Sequence, residues 1–75
     1  MNRLAELGVG GRARVLRVHG DDEISLRLME MGLTPGVDMQ LVGTAPLGDP
    51  LEFEVRGYHL SLRKSEAARV EIEPL

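Results

Sequence analysis

Apolar and polar positions alternate along most of this 75-residue chain, and one segment switches to a helical period. Arg12-Ala13-Arg14-Val15-Leu16-Arg17-Val18-His19 reads as a strand closed by Gly20. The alternation fails at the adjacent apolar pair Val15-Leu16, which predicts a β-bulge bending the strand. Gly8, Gly10 and Gly11 stand before it and end any early helical turn. Asp21-Asp22-Glu23 then leads into Ile24 through Met31, the one substantial helix. Asp21 or Asp22 can cap its free N–H groups, and the acidic cluster suits the positive end of the helix dipole. Gly32 is placed to end the helix in a left-handed conformation, and Pro35 forbids continuation.

Val37-Asp38-Met39-Gln40-Leu41 and Leu51-Glu52-Phe53-Glu54-Val55-Arg56 alternate strictly and read as half-buried strands. The segment from Thr44 to Pro50 holds two prolines and a glycine and forms an ordered loop. Gly57-Tyr58 is expected as a type II′ turn into His59-Leu60-Ser61-Leu62. That turn sets Arg56 opposite His59, Val55 opposite Leu60 and Phe53 opposite Leu62, with Glu54 facing Ser61 on the other side. Ser65 is expected to cap a single turn over Glu66-Ala67-Ala68, before a last strand, Arg69-Val70-Glu71-Ile72-Glu73. Outward Glu71 and Glu73 complement Arg12 and Arg14, so the first and last strands are expected to pair and close a barrel. The pattern describes a mainly β domain over residues 1–75, a small SH3-like five-stranded barrel with one short helix after the first strand.

A chain this short builds a thin core, and with no cysteine it has no disulfide or thiolate metal site to brace it. Phe53 and Tyr58 are its only aromatic residues, so aliphatic side chains and four methionines fill the interior. Nine basic against twelve acidic residues give a net charge of −3. That balance argues against a domain held to nucleic acid by phosphate contacts. The N-terminal residues are too few and too polar for a signal peptide, and no stretch reaches the roughly 20 apolar residues of a membrane span. A cytoplasmic protein without direct membrane insertion is expected.

Catalytic chemistry finds no foothold. No Ser/His/Asp or Cys/His constellation is placed by the sequence, Glu52 and Glu54 lie on the outward face of one strand, and the glycines form no phosphate loop or dinucleotide fingerprint. No enzyme activity and no cofactor are expected. His19 and His59 sit at strand ends without ligand spacing, so both read as surface histidines and no metal site is assigned. Arg63-Lys64, with Arg56 and Arg69, makes a modest basic patch. It reads as a solvated face or a weak attraction to anionic headgroups.

Three blocks carry a resemblance: Arg27-Leu28-Met29-Glu30-Met31-Gly32-Leu33-Thr34-Pro35-Gly36, then Ala45-Pro46-Leu47-Gly48-Asp49-Pro50, then Arg56-Gly57-Tyr58 with Leu60-Ser61-Leu62-Arg63-Lys64-Ser65-Glu66-Ala67. In this order and spacing they resemble the FeoA family over essentially the whole chain. The resemblance implies an SH3-like barrel and a part in bacterial ferrous-iron uptake, as regulator or assistant of FeoB, a membrane transporter with a cytoplasmic GTPase-like domain. It also implies transition-metal-ion binding at the level of the family. A similar domain ends some iron-dependent repressors. No DNA-binding segment precedes it here, so the free-standing form is expected, in the cytoplasm or at the inner face of the membrane.

The helix supplies the candidate partner site. At about 100° per residue, Ile24, Leu28 and Met31 lie on one stripe and Leu26, Met29 and Leu33 on another, roughly opposite. A lone helix on a small barrel buries one stripe, and the other remains for a partner or for a covering loop. The sequence leaves open which stripe faces inward. Leu26, Leu28, Met29 and Leu33 are therefore the candidate contacts, together with Leu47 on the rigid loop. The expected partner is the cytoplasmic part of an FeoB-like transporter. Two rivals stand beside it: a small-barrel nucleic-acid-binding module, and a ligand-sensing or self-associating domain like the repressor tails.

Overall fold

The computed structural model describes residues 2–75. One antiparallel sheet of six strands runs in the order β1-β6-β2-β3-β4-β5. The strands are β1 (Asn2–Arg3), β2 (Arg12–Val18), β3 (Asp38–Thr44), β4 (Leu51–Val55), β5 (Tyr58–Leu62) and β6 (Val70–Pro74). Two helices interrupt them, α1 (Glu23–Glu30) and α2 (Lys64–Ala67). Every strand but β1 places at least one inward residue at 3% exposure or less, Val15, Leu41, Phe53, Leu62 and Val70 among them. A single sheet can bury one face this completely only by curling around it, with α1 supplying Leu28 to the same core.

Five of the six strands are those the alternation predicts. The sixth, β1, is two residues long and pairs Asn2 with Ile72 and Arg3 with Glu71. Two residues are too few to display a period. Leu4, in the 3-10 turn Leu4–Glu6 that follows, is fully buried.

The first and last long strands pair as expected: Arg14 faces Glu73 and Arg17 faces Glu71. The register jumps between Val15 and Arg17, so Leu16 is the extra residue of the anticipated bulge, and it points to solvent. A second bulge sits at Val42 in β3, between Leu41 and Gly43, and exposes that side chain too. An unpaired residue bends its strand and deepens the local twist, so the two bulges help the sheet to curl.

The β4–β5 hairpin turns on Arg56-Gly57, not on Gly57-Tyr58. Val55 pairs with Tyr58, Phe53 with Leu60 and Leu51 with Leu62. Both turn residues have positive φ, 50° at Arg56 and 84° at Gly57, which is the type I′ requirement. The expected register is off by two residues. A shift of two preserves the faces, so the inward set Phe53, Val55 and Leu62 stands while every cross-strand partner changes. Ser65 is likewise not a cap: it lies inside α2, whose first residue is Lys64. Glu66 does the capping by reaching back, its Oε1 accepting from the Arg63 N–H at 2.9 Å.

Candidate docking face on helix α1

Helix α1 begins where its sequence says it should. Asp22 is the N-cap, accepting from the Ser25 N–H at 3.2 Å, and Ser25 Oγ donates back to the Asp22 carbonyl at 2.9 Å. The C-terminus closes in a Schellman turn, with Gly32 N–H bonded to Met29 O and Leu33 N–H to Leu28 O. Gly32 takes φ +105°, and a Cβ there would lie 2.5 Å from Tyr58 Oη. The backbone thus requires glycine, and any side chain there would also displace the tyrosine hydroxyl.

Three side-chain ties hold α1 to the rest of the molecule. At the C-terminus Tyr58 Oη donates to the Met31 carbonyl at 2.6 Å. In the middle Arg27 forms an ion pair with Glu66 of α2, whose carboxylate is nearly buried. At the N-terminus Arg69 Nη1 donates to Asp22 Oδ1 at 2.6 Å. That bond, with the Ser25 N–H, holds the Asp22 carboxyl below the usual carboxylate range. Asp38 is lowered in the same way by Arg14, 2.9 Å away on β2.

The ties decide which side faces out. The inward direction runs between Ser25, 2% exposed, and Leu28, 0%. It therefore falls between the two apolar stripes rather than on either. Ile24 and Met29 lie about 70° to either side of it and are half-exposed, while Leu26 lies about 130° away. Their exposures follow that geometry: 37% at Ile24, 39% at Met29 and 55% at Leu26.

Two of the five candidate contacts are therefore core. Leu28 and Leu33 are both fully buried, and neither is accessible to a partner. Leu28 sits beneath α1, and Leu33 packs inward because the Schellman turn reverses the chain after Gly32. Leu26 and Met29 stand on the open face. Leu47, 96% exposed, caps the loop between β3 and β4. That loop is fixed by Gly48 N–H to Ala45 O at 2.7 Å, Ala45 N–H to Pro50 O at 3.0 Å, and the Lys64 N–H donating to Asp49 Oδ1 at 3.0 Å. Leu47 lines neither of the depressions beside Leu26. Ile24 belongs to the outward apolar set and was not among the expected contacts.

The remaining candidates sort quickly. His19 Nε2 lies 2.7 Å from Glu71 Oε1, and His59 is exposed on β5. No group of three or more His, Asp or Glu side chains able to hold a metal ion occurs among the described residues. Arg69 is committed to Asp22, which removes it from the basic patch expected with Arg56, Arg63 and Lys64. No helix among the described residues is long and apolar enough to cross a membrane.

The model of the FeoA domain matches residues 2–74. The chain belongs to the FeoA family. A Porphyromonas gingivalis relative, an Fe(2+) transport protein A/Fe(2+) transporter FeoB fusion protein, is 39% identical over 71 residues. That match takes in 95% of this chain but only 8% of the fusion protein. The solution structure of FeoA from Chlorobium tepidum is 36% identical, with a TM-score of 0.90, covering 99% of this chain and 70% of that one. The crystal structure of Stenotrophomonas maltophilia FeoA in complex with zinc, a prokaryotic SH3 domain protein, is 35% identical with a TM-score of 0.85. It covers 97% of this chain and 91% of that one. The curled sheet is thus the SH3-like architecture of FeoA proteins, and the family is associated with ferrous-iron transport.

Proposed function

We propose that this FeoA-family chain is a cytoplasmic accessory protein of ferrous-iron uptake. It binds the cytoplasmic part of an FeoB-type transporter through Leu26 and Met29 of α1 and modulates GTPase turnover or gating. The observation that carries this reading is an apolar helix face left open by a helix that three ties hold in place. A fixed face loses little freedom on binding, so more of its apolar burial appears as affinity. The fusion relative supports the pairing, since joining two partners in one polypeptide raises their effective concentration. Modulation requires that the chain bind two conformations of the transporter unequally. Leu47, on its rigid loop, is a secondary contact.

The test is a binding titration of the chain against the cytoplasmic part of the matching transporter. Leu26→Glu and Met29→Glu place a charge in the interface while leaving the core untouched. Each is expected to weaken binding by at least about tenfold, with the thermal midpoint within a few degrees of the parent. Lack of association by the parent chain, or undiminished association by both variants, overturns the proposal.

A further inference from the structure

The charges around Leu26 specify what covers it. Glu23 and Glu30 are exposed on the outer side of α1, and Asp21 precedes the helix. None of these three carboxylates has an ion pair or hydrogen bond among the described residues. The two arginines that reach this region are both neutralised within the fold, Arg27 by Glu66 and Arg69 by Asp22. Leu26 forms a ridge between two shallow depressions. Glu23 lines both; one adds Asp21 and Met29, the other Ile24, Arg27 and Glu30. The same ties that fix the helix therefore strip its outer face of free positive charge.

We infer that the occupant of this face is an amphipathic polypeptide segment with an apolar stripe flanked by Lys or Arg on the side that meets Glu23 and Glu30. The inference rests on the docking reading above and adds the chemistry of the partner. Apolar side chains of the segment enter the depressions on either side of Leu26, and its cations meet Glu23, Glu30 and Asp21. Such rim charges set partner choice and encounter rate more than depth of affinity. An anionic lipid surface is disfavoured, because the same carboxylates repel it.

The probes are two synthetic amphipathic helices of equal length and identical apolar face, one flanked by Lys and the other by Glu. NMR titration of the full chain should show the Lys peptide shifting the amides of Leu26 and Met29, and the Glu peptide shifting neither. The Glu23→Gln/Glu30→Gln double variant should weaken the Lys peptide by about three- to tenfold, and raised salt should act in the same direction. Equal binding of both peptides, binding of neither, or equal binding of phosphatidylglycerol vesicles overturns the inference. The docking reading is judged separately, by titrating the same double variant against the transporter. Loss of binding in Leu26→Glu with none in the double variant sinks the charge argument and leaves docking intact. Capture of the Lys peptide without binding to the transporter does the reverse.

Discussion

Gly32 and Tyr58 meet at the C-terminus of α1, and a double-mutant cycle there tests how the helix is held. Substituting alanine at Gly32 forces a side chain onto φ +105°, a strain of roughly 1–3 kcal/mol. It also sets a Cβ 2.5 Å from Tyr58 Oη. The tyrosine is 42% exposed and free to swing away, so the clash relaxes at the cost of its bond to the Met31 carbonyl. That bond contributes about 0.5–1.5 kcal/mol. Gly32→Ala should therefore destabilise by about 2–4 kcal/mol in the parent, from strain plus the lost bond. Tyr58→Phe alone should cost about 1 kcal/mol. In the phenylalanine background the bond is already gone and the nearest remaining ring atom is 3.8 Å from the new Cβ, so Gly32→Ala should cost the strain alone. The double variant is then less damaged than the sum of the singles by about 1 kcal/mol, the value of the bond counted twice. Urea or thermal unfolding reads this directly, since about 1 kcal/mol moves the midpoint of a domain this size by about 4–8 °C. Additivity within about 0.3 kcal/mol would show that the hydroxyl does not hold the helix end.

Truncating Leu28 to alanine should cost about 2–5 kcal/mol, whereas the same change at Leu26 should stay within about 0.5 kcal/mol. Equal costs measured by denaturant unfolding would refute the assigned orientation of α1. Asp22 and Asp38 titrate below the ordinary carboxylate range, held there by Arg69 and Arg14. The stability they contribute is fully present above the unfolded-state pKa of about 3.9 and is lost as pH falls through their folded values. Unfolding midpoints should fall below about pH 4, and Asp22→Asn, which keeps a capping side chain, should flatten that limb. An unchanged acid slope in that variant would remove Asp22 from the account.

Much of the fold was legible because alternation over five or more residues leaves few alternatives. The bulge at Leu16 was visible as two adjacent apolar residues, and the charge pattern of Arg14 and Glu73 pointed to the strand pairing that the sheet contains. The bulge at Val42 was hidden, since Leu41-Val42-Gly43 reads equally well as the end of a strand. The hairpin misled because type I′ turns favour Asn or Asp at the first central position, and here Arg56 takes it with φ 50°. The docking face was half legible. Leu28 of one stripe is buried and Leu26 and Met29 of the other are exposed. Ile24 is exposed too, because the helix seats itself between the stripes on Ser25, a residue whose polarity argues for solvent. Its hydroxyl is satisfied by the Asp22 carbonyl, which permits its burial. Leu33 was beyond a helical projection altogether, because the chain leaves the helix at Gly32.

The three sequence blocks that carry the family likeness also touch one another in space. Met31 of the first receives the hydroxyl of Tyr58 in the third, Arg27 of the first pairs with Glu66 of the third, and Asp49 of the second accepts from the backbone of Lys64 in the third. A core alone would tolerate many sequences of the right volume and pattern. These contacts have a narrower effect, which is to fix the angle of α1 and the loop beneath Leu47 against α2. Fixing them does not deepen the core, since Leu26, Met29 and Leu47 remain in solvent. It does hold the segments that carry those apolar side chains in one arrangement. On the docking reading proposed above, that fixed arrangement lowers the entropic cost of burying Leu26 and Met29 against a partner.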